Sequence, residues 1–120
     1  MISYEIEAFG RRIGLDHLAL DDQGRAQLNI SGVGSFHLEL SDAGPARQLL
    51  MYLCLPFDAK DAARLSRLFK LCDYRRNLPV PVSAGVFKGK AIIMSRMDES
   101  LVTAAGIENT LRFLAGCMPA

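Results

Sequence analysis

The sequence predicts an α+β fold in which a mainly antiparallel, twisted sheet is packed by helices, in the order α-β-β-β-α-β-β-α. One helix-like segment, Asp58 to Asn77, separates about three strand-like segments (25 to 55) from two more (80 to 97). Apolar residues recur at helical spacing near both ends of the chain, which predicts amphipathic helices there. No internal repeat, linker or low-complexity segment interrupts this order, so residues 1–120 are expected to form a single domain.

The first helix is predicted from a stripe of apolar residues at i, i+4, i+7 and i+11: Ile2, Ile6, Phe9 and Ile13. Gly14 is a natural C-terminal stop for this helix. Gly10 lies inside it, where glycine costs about 1 kcal/mol relative to alanine, so tertiary packing is expected to hold the helix at this point.

Three strand-like segments follow the first helix. Strand one (25–30) and strand two (35–40) alternate apolar and polar residues, which is typical of an antiparallel sheet with one covered face and one wet face. Their apolar positions are Ala26, Leu28, Ile30, Phe36, Leu38 and Leu40. Residues 49–55 are continuously apolar, so strand three is expected to be central and covered on both faces.

Two further strands and a helix complete the chain. Strand four (80–87) and strand five (91–97) are separated by Lys88-Gly89, which predicts a two-residue hairpin. Asp98 is expected to cap the last helix. One side of that helix is apolar: Ala104, Ile107, Leu111, Leu114 and Met118.

Composition excludes several classes of protein. Half of the residues are hydrophobic and 22% are charged, which is the profile of an ordered globular protein. No stretch approaches the roughly 18 continuous apolar residues of a membrane span. The N-terminus has neither a basic region nor an apolar signal core, so a cytoplasmic protein is expected. The three widely spaced cysteines are expected to be thiols rather than a disulfide framework: Cys54, Cys72 and Cys117.

No arrangement of residues predicts catalysis, a metal centre or a cofactor. His17 lies in a connector and His37 in a strand, and no Cys-x-x-Cys motif joins them. The glycine-rich segment 31–35 lacks the lysine of a phosphate-binding loop and precedes a strand, so it predicts a turn. No cysteine has an adjacent histidine to activate it. We therefore expect a protein that is not an enzyme and that binds no metal and no cofactor.

Charge is unevenly distributed along the chain. Residues 1–59 carry four basic and eight acidic groups, whereas residues 60–97 carry nine basic and two acidic groups. A basic helix and hairpin would suit phosphate, so a small basic-patch nucleic-acid-binding or regulatory protein is the alternative function. Against it, the net charge is only +1 and aromatic residues do not interleave with the basic ones. A solvated helix face is the other interpretation of these charges.

Several segments together carry a resemblance to a known family. They are the Gly14-Leu15 helix end, the turn at 18–24, the apolar strand 49–55 before a leucine-rich helix, and the tail, in which residues 83–86 turn into 91–94 before the helix 101–114. In these segments, from about Phe9 to Cys117, the chain resembles the class I type III secretion chaperones, the Tir-chaperone (CesT-like) family of small bacterial cytoplasmic proteins.

The resemblance implies a homodimer that uses no nucleotide and holds the N-terminal chaperone-binding segment of a secreted effector in an extended form. It implies a dimer interface on the middle helix and strand four, with these candidates: Ala63, Arg67, Leu71, Tyr74, Val80, Val82, Ala84 and Val86. Candidates for effector binding are apolar residues of the first helix and nearby strands: Ile6, Phe9, Ile13, Leu28, Ile30, Phe36 and Leu38. The alternative is that these seven are ordinary core, which is expected for most of them.

The charge of this chain differs from that of the family. These chaperones are typically acidic, whereas this chain is nearly neutral with a basic middle helix. Two facing basic helices would repel each other unless an acidic residue pairs across the interface. A heterodimer with a second, acidic chaperone and an acidic cargo are therefore alternatives to a simple homodimer.

Overall fold

A five-stranded antiparallel sheet forms the centre of the structure, a computed structural model that describes residues 2–56, 60–70 and 82–117. The elements are α1 (Ile2–Arg12), β1 (Arg25–Ile30), β2 (Gly34–Ser41), β3 (Gln48–Pro56), α2 (Ala62–Lys70), β4 (Ser83–Phe87), β5 (Lys90–Asp98) and α3 (Ala104–Cys117). The strands lie side by side in the order β1-β2-β3-β5-β4. The predicted α+β fold and its order of elements are confirmed.

One face of the sheet carries the core. Helix α3 packs against β3 and β5, and α1 packs against α3. Phe9 of α1 meets Phe36 of β2 edge to face, with ring centroids 6.0 Å apart. Both phenylalanines have no exposed area, and full burial of such a side chain contributes about 1.5–3 kcal/mol. These contacts hold α1 over the sheet.

The two terminal helices are also joined by polar contacts. Glu5 Oε1 accepts a hydrogen bond from the main-chain N–H of Ala104 at 2.9 Å, at the start of α3. Arg12 Nε donates to Glu108 Oε1 at 2.6 Å, and Arg112 donates to the other oxygen of Glu108 at 2.7 Å. The hydrogen bond from Arg12 is the main reason that the pKa of Glu108 lies below its ordinary value.

Helix α1 ends at the predicted glycine. Gly14 has φ of +88°, and the N–H of Leu15 donates to the carbonyl of Gly10 at 2.8 Å. These two features define a Schellman motif, which satisfies the last carbonyls of a helix. Gly10 is buried, and a Cβ there would lie 2.7 Å from Leu18 Cβ. The connector after the helix therefore packs directly on Gly10, which accounts for a glycine inside α1.

The described part of the predicted middle helix is α2, and the rest of the segment 58–77 lies outside the described residues. Asp61 Oδ1 accepts a hydrogen bond from the N–H of Arg64 at 3.1 Å, which caps α2 at its beginning. None of the helices in the described ranges is long and apolar enough to cross a membrane.

The last helix begins later than predicted, and the prediction that Asp98 caps it is wrong. Asp98 makes no side-chain cap hydrogen bond and precedes a single 3-10 turn, Glu99–Leu101. The N–H of Glu99 donates to the carbonyl of Arg47 at 3.0 Å. This bond ties the chain to the start of β3 before α3 begins. Thr103 Oγ1 instead accepts the N–H of Gly106 at 3.0 Å and caps α3.

Strand β3 lies at the centre of the sheet, as predicted, but only one of its faces is fully buried. Leu49, Met51 and Leu53 point into the core and have no exposed area. Leu50, Tyr52 and Cys54 point to the other face and are only half-buried. Among the described elements, α1 and α3 pack on the same face, so the expected full burial of both faces of β3 is not observed.

Candidate partner-binding surfaces

The residues predicted to bind an effector fall into two groups. Five of them are buried and belong to the core: Ile6, Phe9, Leu28, Phe36 and Leu38. Ile13 and Ile30 are half-buried and pack against that core from its margin. The structure therefore places most of the set where the core interpretation expects it, and leaves Ile13 and Ile30 within reach of a partner.

The outer edge of β1 carries main-chain groups that no described residue bonds. Along β1, alternate residues direct their main-chain groups to β2 or away from it. The carbonyl of Gly24 accepts a hydrogen bond from the N–H of Leu40 of β2, so the main-chain groups of Arg25 point away from β2. Asp21 bonds both of these groups. Its Oδ1 accepts the N–H of Arg25 at 3.0 Å, and its own N–H donates to the carbonyl of Arg25 at 2.8 Å. By alternation, the main-chain N–H and C=O groups of Gln27 and Asn29 also point away from β2. We call the main-chain groups of these two residues the β1 edge.

The side chains beside the β1 edge differ between the two faces of the sheet. Ala26, Leu28 and Ile30 lie on the core side, and Gln27 and Asn29 lie on the opposite side, where both are exposed. A strand added here would therefore place alternate residues beside an apolar and a polar surface. A segment of alternating apolar and polar residues fits both surfaces.

The face of the sheet opposite α1 and α3, here called the outer face, has a polar and aromatic part. His37 and Tyr52 stack with ring centroids 4.7 Å apart and planes within 4°. His37 Nε2 is hydrogen-bonded to Ser35 Oγ at 2.9 Å. Burial lowers the pKa of His37, and the nearby positive charge of Lys90 lowers it further, so the folded chain favours the neutral ring. Gln27 lies next to His37 in the same cross-strand row, so this stack adjoins the β1 edge.

The other part of the outer face is an apolar groove between β4 and β5, with a volume of about 260 Å³. Ile92 and Met94 of β5 line it and are half-buried. Gly85 and Ser83 lie opposite them on β4. Phe87 closes one end and is 62% exposed, an unusual amount for a phenylalanine. We call this feature the β4–β5 groove.

Basic side chains differ in whether they find a carboxylate. Five arginines from the first and last parts of the chain form ion pairs: Arg11, Arg12, Arg25, Arg47 and Arg112. Five cations from the middle part form none with a described carboxylate: Arg67, Lys70, Lys88, Lys90 and Arg96. The positive charges of these five residues are therefore not neutralised by the carboxylates that the structure describes.

Comparison with known proteins rests on structure. No protein-family model matches the sequence, and no curated protein matches it. The Yersinia pestis type III secretion chaperone SycH, solved with a stable fragment of YscM2, matches with a TM-score of 0.70 at 14% identity, over 99% of this chain and 100% of that one. The chain has the fold of the type III secretion chaperones.

Two further solved structures share this secretion-chaperone fold. The HopA1-SchA chaperone–effector complex matches with a TM-score of 0.68 at 14% identity, over 98% of this chain and 92% of that one. The ExsC–ExsE complex matches with a TM-score of 0.69 at 21% identity, over 96% of this chain and 86% of that one. At these identities the likeness establishes the fold.

Within the secretion-chaperone fold, the predicted dimer residues are spread over α2 and β4. Ala63 and Arg67 are exposed on α2. Val82, Ala84 and Val86 are half-buried and lie on the core side of the sheet at its β4 margin. The other three candidates lie outside the described residues: Leu71, Tyr74 and Val80.

Sequence reasoning missed the β1 edge and the β4–β5 groove. Gln27 and Asn29 are polar residues with no motif, and only the order of the strands reveals that their outward main-chain groups are not bonded by any described residue. The groove had a visible signal, because Lys90, Ile92, Met94 and Arg96 alternate along one face of a strand. No group of three or more His, Cys, Asp or Glu in the described ranges is placed to hold a metal ion.

Proposed function

We propose that this chain is a cytoplasmic, non-catalytic chaperone for a protein exported by a type III secretion system. It binds the N-terminal chaperone-binding segment of that effector in an extended form and keeps it soluble and competent for export. The observation that carries the proposal is the likeness of nearly the whole chain to SycH and to SchA, each solved with a bound protein partner.

The β1 edge supports a role in holding an extended segment. Gln27 and Asn29 together offer two N–H and two C=O groups to an added strand, and each main-chain hydrogen bond contributes about 0.5–1.5 kcal/mol net. Strand addition to an open sheet edge supplies affinity with little dependence on sequence. Neighbouring Ile30, on the core side, supplies apolar surface for alternate side chains of the effector.

We also propose that the working form is a dimer through α2 and the β4 margin. Ala63 and Arg67 are exposed on α2, and Val82, Ala84 and Val86 are half-buried beside it. A partner that covers these apolar side chains would remove them from water. Two copies would bring Arg67 of each α2 close together, so a homodimer needs a carboxylate across the interface. A second, acidic chaperone would meet that need directly.

The first experiment is co-expression of the chain with the product of the neighbouring gene. Light scattering of the purified complex is expected to give the mass of two chaperone subunits with one effector. Limited proteolysis is expected to spare the N-terminal segment of the effector in the complex and to degrade it in the free effector. A stable monomer that protects no segment of the co-expressed protein would contradict the proposal.

The second experiment tests the β1 edge with proline. Gln27→Pro removes the outward N–H, and proline is tolerated on an edge strand where the N–H faces solvent. Gln27→Ala is the matched control, since it removes the side chain and keeps the N–H. We expect the proline variant to lose at least about tenfold in affinity for the effector, as one lost hydrogen bond and a blocked edge imply. Equal binding by both variants would show that the effector does not add a strand at β1.

A further inference from the structure

We infer that the β4–β5 groove binds a second stretch of the effector, one in which apolar side chains are flanked by aspartate or glutamate. The inference rests on the proposed function, since the partner is the same effector. It assigns a chemistry to that partner, which the fold alone does not. It also places this contact two strands away from the β1 edge, across β2 and β3.

The geometry of β5 defines what the groove can accept. Lys90, Ile92, Met94 and Arg96 follow one another on the outer face, because alternate residues of a strand share a face. Lys90 and Arg96 are six positions apart along the strand, a distance of about 20 Å at roughly 3.3 Å per residue. The apolar floor of the groove therefore lies between a cation at either end.

The end of the groove near the hairpin has a second cation. Lys88 Nζ lies 5.3 Å from the ring centroid of Phe87, which is close enough for a cation–π contact. Phe87 pairs with Lys90 across the hairpin, so both lysines belong to the same end. Neither lysine, nor Arg96 at the other end, forms an ion pair with a described carboxylate.

Charge complementarity favours an acidic polypeptide over the other possible occupants. A second copy docked on this face about a two-fold axis would bring its own cations toward those already there. A nucleic acid would find cations and one exposed ring, Phe87, at the end of the groove, but the floor is formed by the aliphatic side chains of Ile92 and Met94 and not by a series of aromatic platforms on which successive bases stack. Apolar side chains flanked by carboxylates match both the floor and the ends of the groove.

The experiment uses a synthetic peptide with the core Glu-Thr-Leu-Thr-Leu-Thr-Glu, which reproduces the spacing of Lys90, Ile92, Met94 and Arg96. Two matched peptides carry Gln or Lys in place of both Glu residues. Binding is followed by the methyl resonance of Met94, which lines the groove, with the buried methyl of Met51 as an internal reference. Each exposed ion pair contributes up to about fivefold in affinity, so the Gln peptide is expected to bind about tenfold more weakly.

Charge reversal gives the sharpest readout. The double variant Lys90→Glu/Arg96→Glu is expected to lose its affinity for the Glu peptide and to bind the Lys peptide more tightly than the Glu peptide. Lys70→Glu is the control, since it makes the same change of charge on α2, outside the two strands that form the groove. Circular dichroism of both variants tests whether each retains the fold.

Each other outcome overturns the inference. Equal binding of the Glu and Gln peptides would show that the cations do not select the partner. A Met94 shift that depends on protein concentration alone would assign the groove to a second copy of the chain. A larger shift with an oligonucleotide would assign it to phosphate. If Gln27→Pro abolished capture of the effector and the double variant Lys90→Glu/Arg96→Glu still captured it, this inference would be wrong and the proposed function would stand. A wild-type chain that captures no effector would remove both.

Discussion

Replacing Gly10 by alanine tests how α1 is held. In an exposed helix this change stabilises a protein by about 1 kcal/mol, because alanine has the higher helix propensity. Here the new Cβ would lie 2.7 Å from Leu18 Cβ and 3.0 Å from the carbonyl oxygen of Leu15. Carbon atoms that are not bonded to each other do not approach to 2.7 Å, so the connector that carries Leu18 must move.

The two effects can be compared. Overpacking costs about 1–3 kcal/mol, and displacing the half-buried Leu18 forfeits part of the roughly 1.5–3 kcal/mol that a fully buried leucine contributes. These losses exceed the gain in propensity, so we expect Gly10→Ala to lower the free energy of unfolding by about 1–2 kcal/mol. For a chain of this size each kcal/mol lowers Tm by about 3–6 °C.

Gly116→Ala provides the control. Gly116 is exposed on α3, and a Cβ there meets nothing within 4 Å, so only the gain in propensity remains. We expect this variant to raise Tm slightly. Urea titrations and thermal scans followed by circular dichroism would measure both variants. If Gly10→Ala raised Tm as much as Gly116→Ala does, the packing of the connector against α1 would be refuted.

Three further predictions concern stability. The pKa of Glu108 is lowered in the folded chain, so the ionised carboxylate contributes to the free energy of unfolding above its ordinary pKa, and this contribution is lost as the pH falls through the lowered value. Glu108→Gln should therefore lose less stability on acidification than the wild type. Urea titrations between about pH 6 and pH 3 would measure the difference. Gly34→Ala should cost about 3 kcal/mol or more, because Gly34 has φ of +154° and a Cβ would collide with the main chain of β3, whereas Gly32→Ala, in open space at φ of +77°, should cost only about 1–2 kcal/mol. Phe36→Ala should lower the free energy of unfolding by about 3–5 kcal/mol, since the ring is fully buried; a loss below about 1 kcal/mol in a denaturant titration would contradict its place in the core.

The elements of the fold were predictable because their signals are local. Alternation identified β1 and β2, and Lys88-Gly89 at φ of +49° and +76° forms the predicted turn between β4 and β5. Asp98 failed as a cap because a distant contact, Glu99 with Arg47, determines where the chain turns. Such a contact leaves no local pattern in the sequence.

The candidate surfaces were less predictable, for a physical reason. Periodic apolar residues mark whatever side chains are removed from water, and in α1 and β2 that set is the core of this chain. An apolar run such as 49–55 has the same sequence whether its second face is covered by the same chain or by a partner. The β1 edge depends on strand order, and neither Gln27 nor Asn29 carries that information.

The contact between α1 and α3 has a consequence for how the chain is made. Glu5 and Ala104 are 99 residues apart in sequence, and they meet only when the last helix is in place. During synthesis the ribosome releases α1 and the strands first, so the apolar face of the sheet stays uncovered until α3 emerges. The meander of β1, β2 and β3 can form early because its contacts are local, whereas closure of the core waits until α3 has been synthesised. A chain that lacks α3 is therefore expected to aggregate rather than to fold slowly.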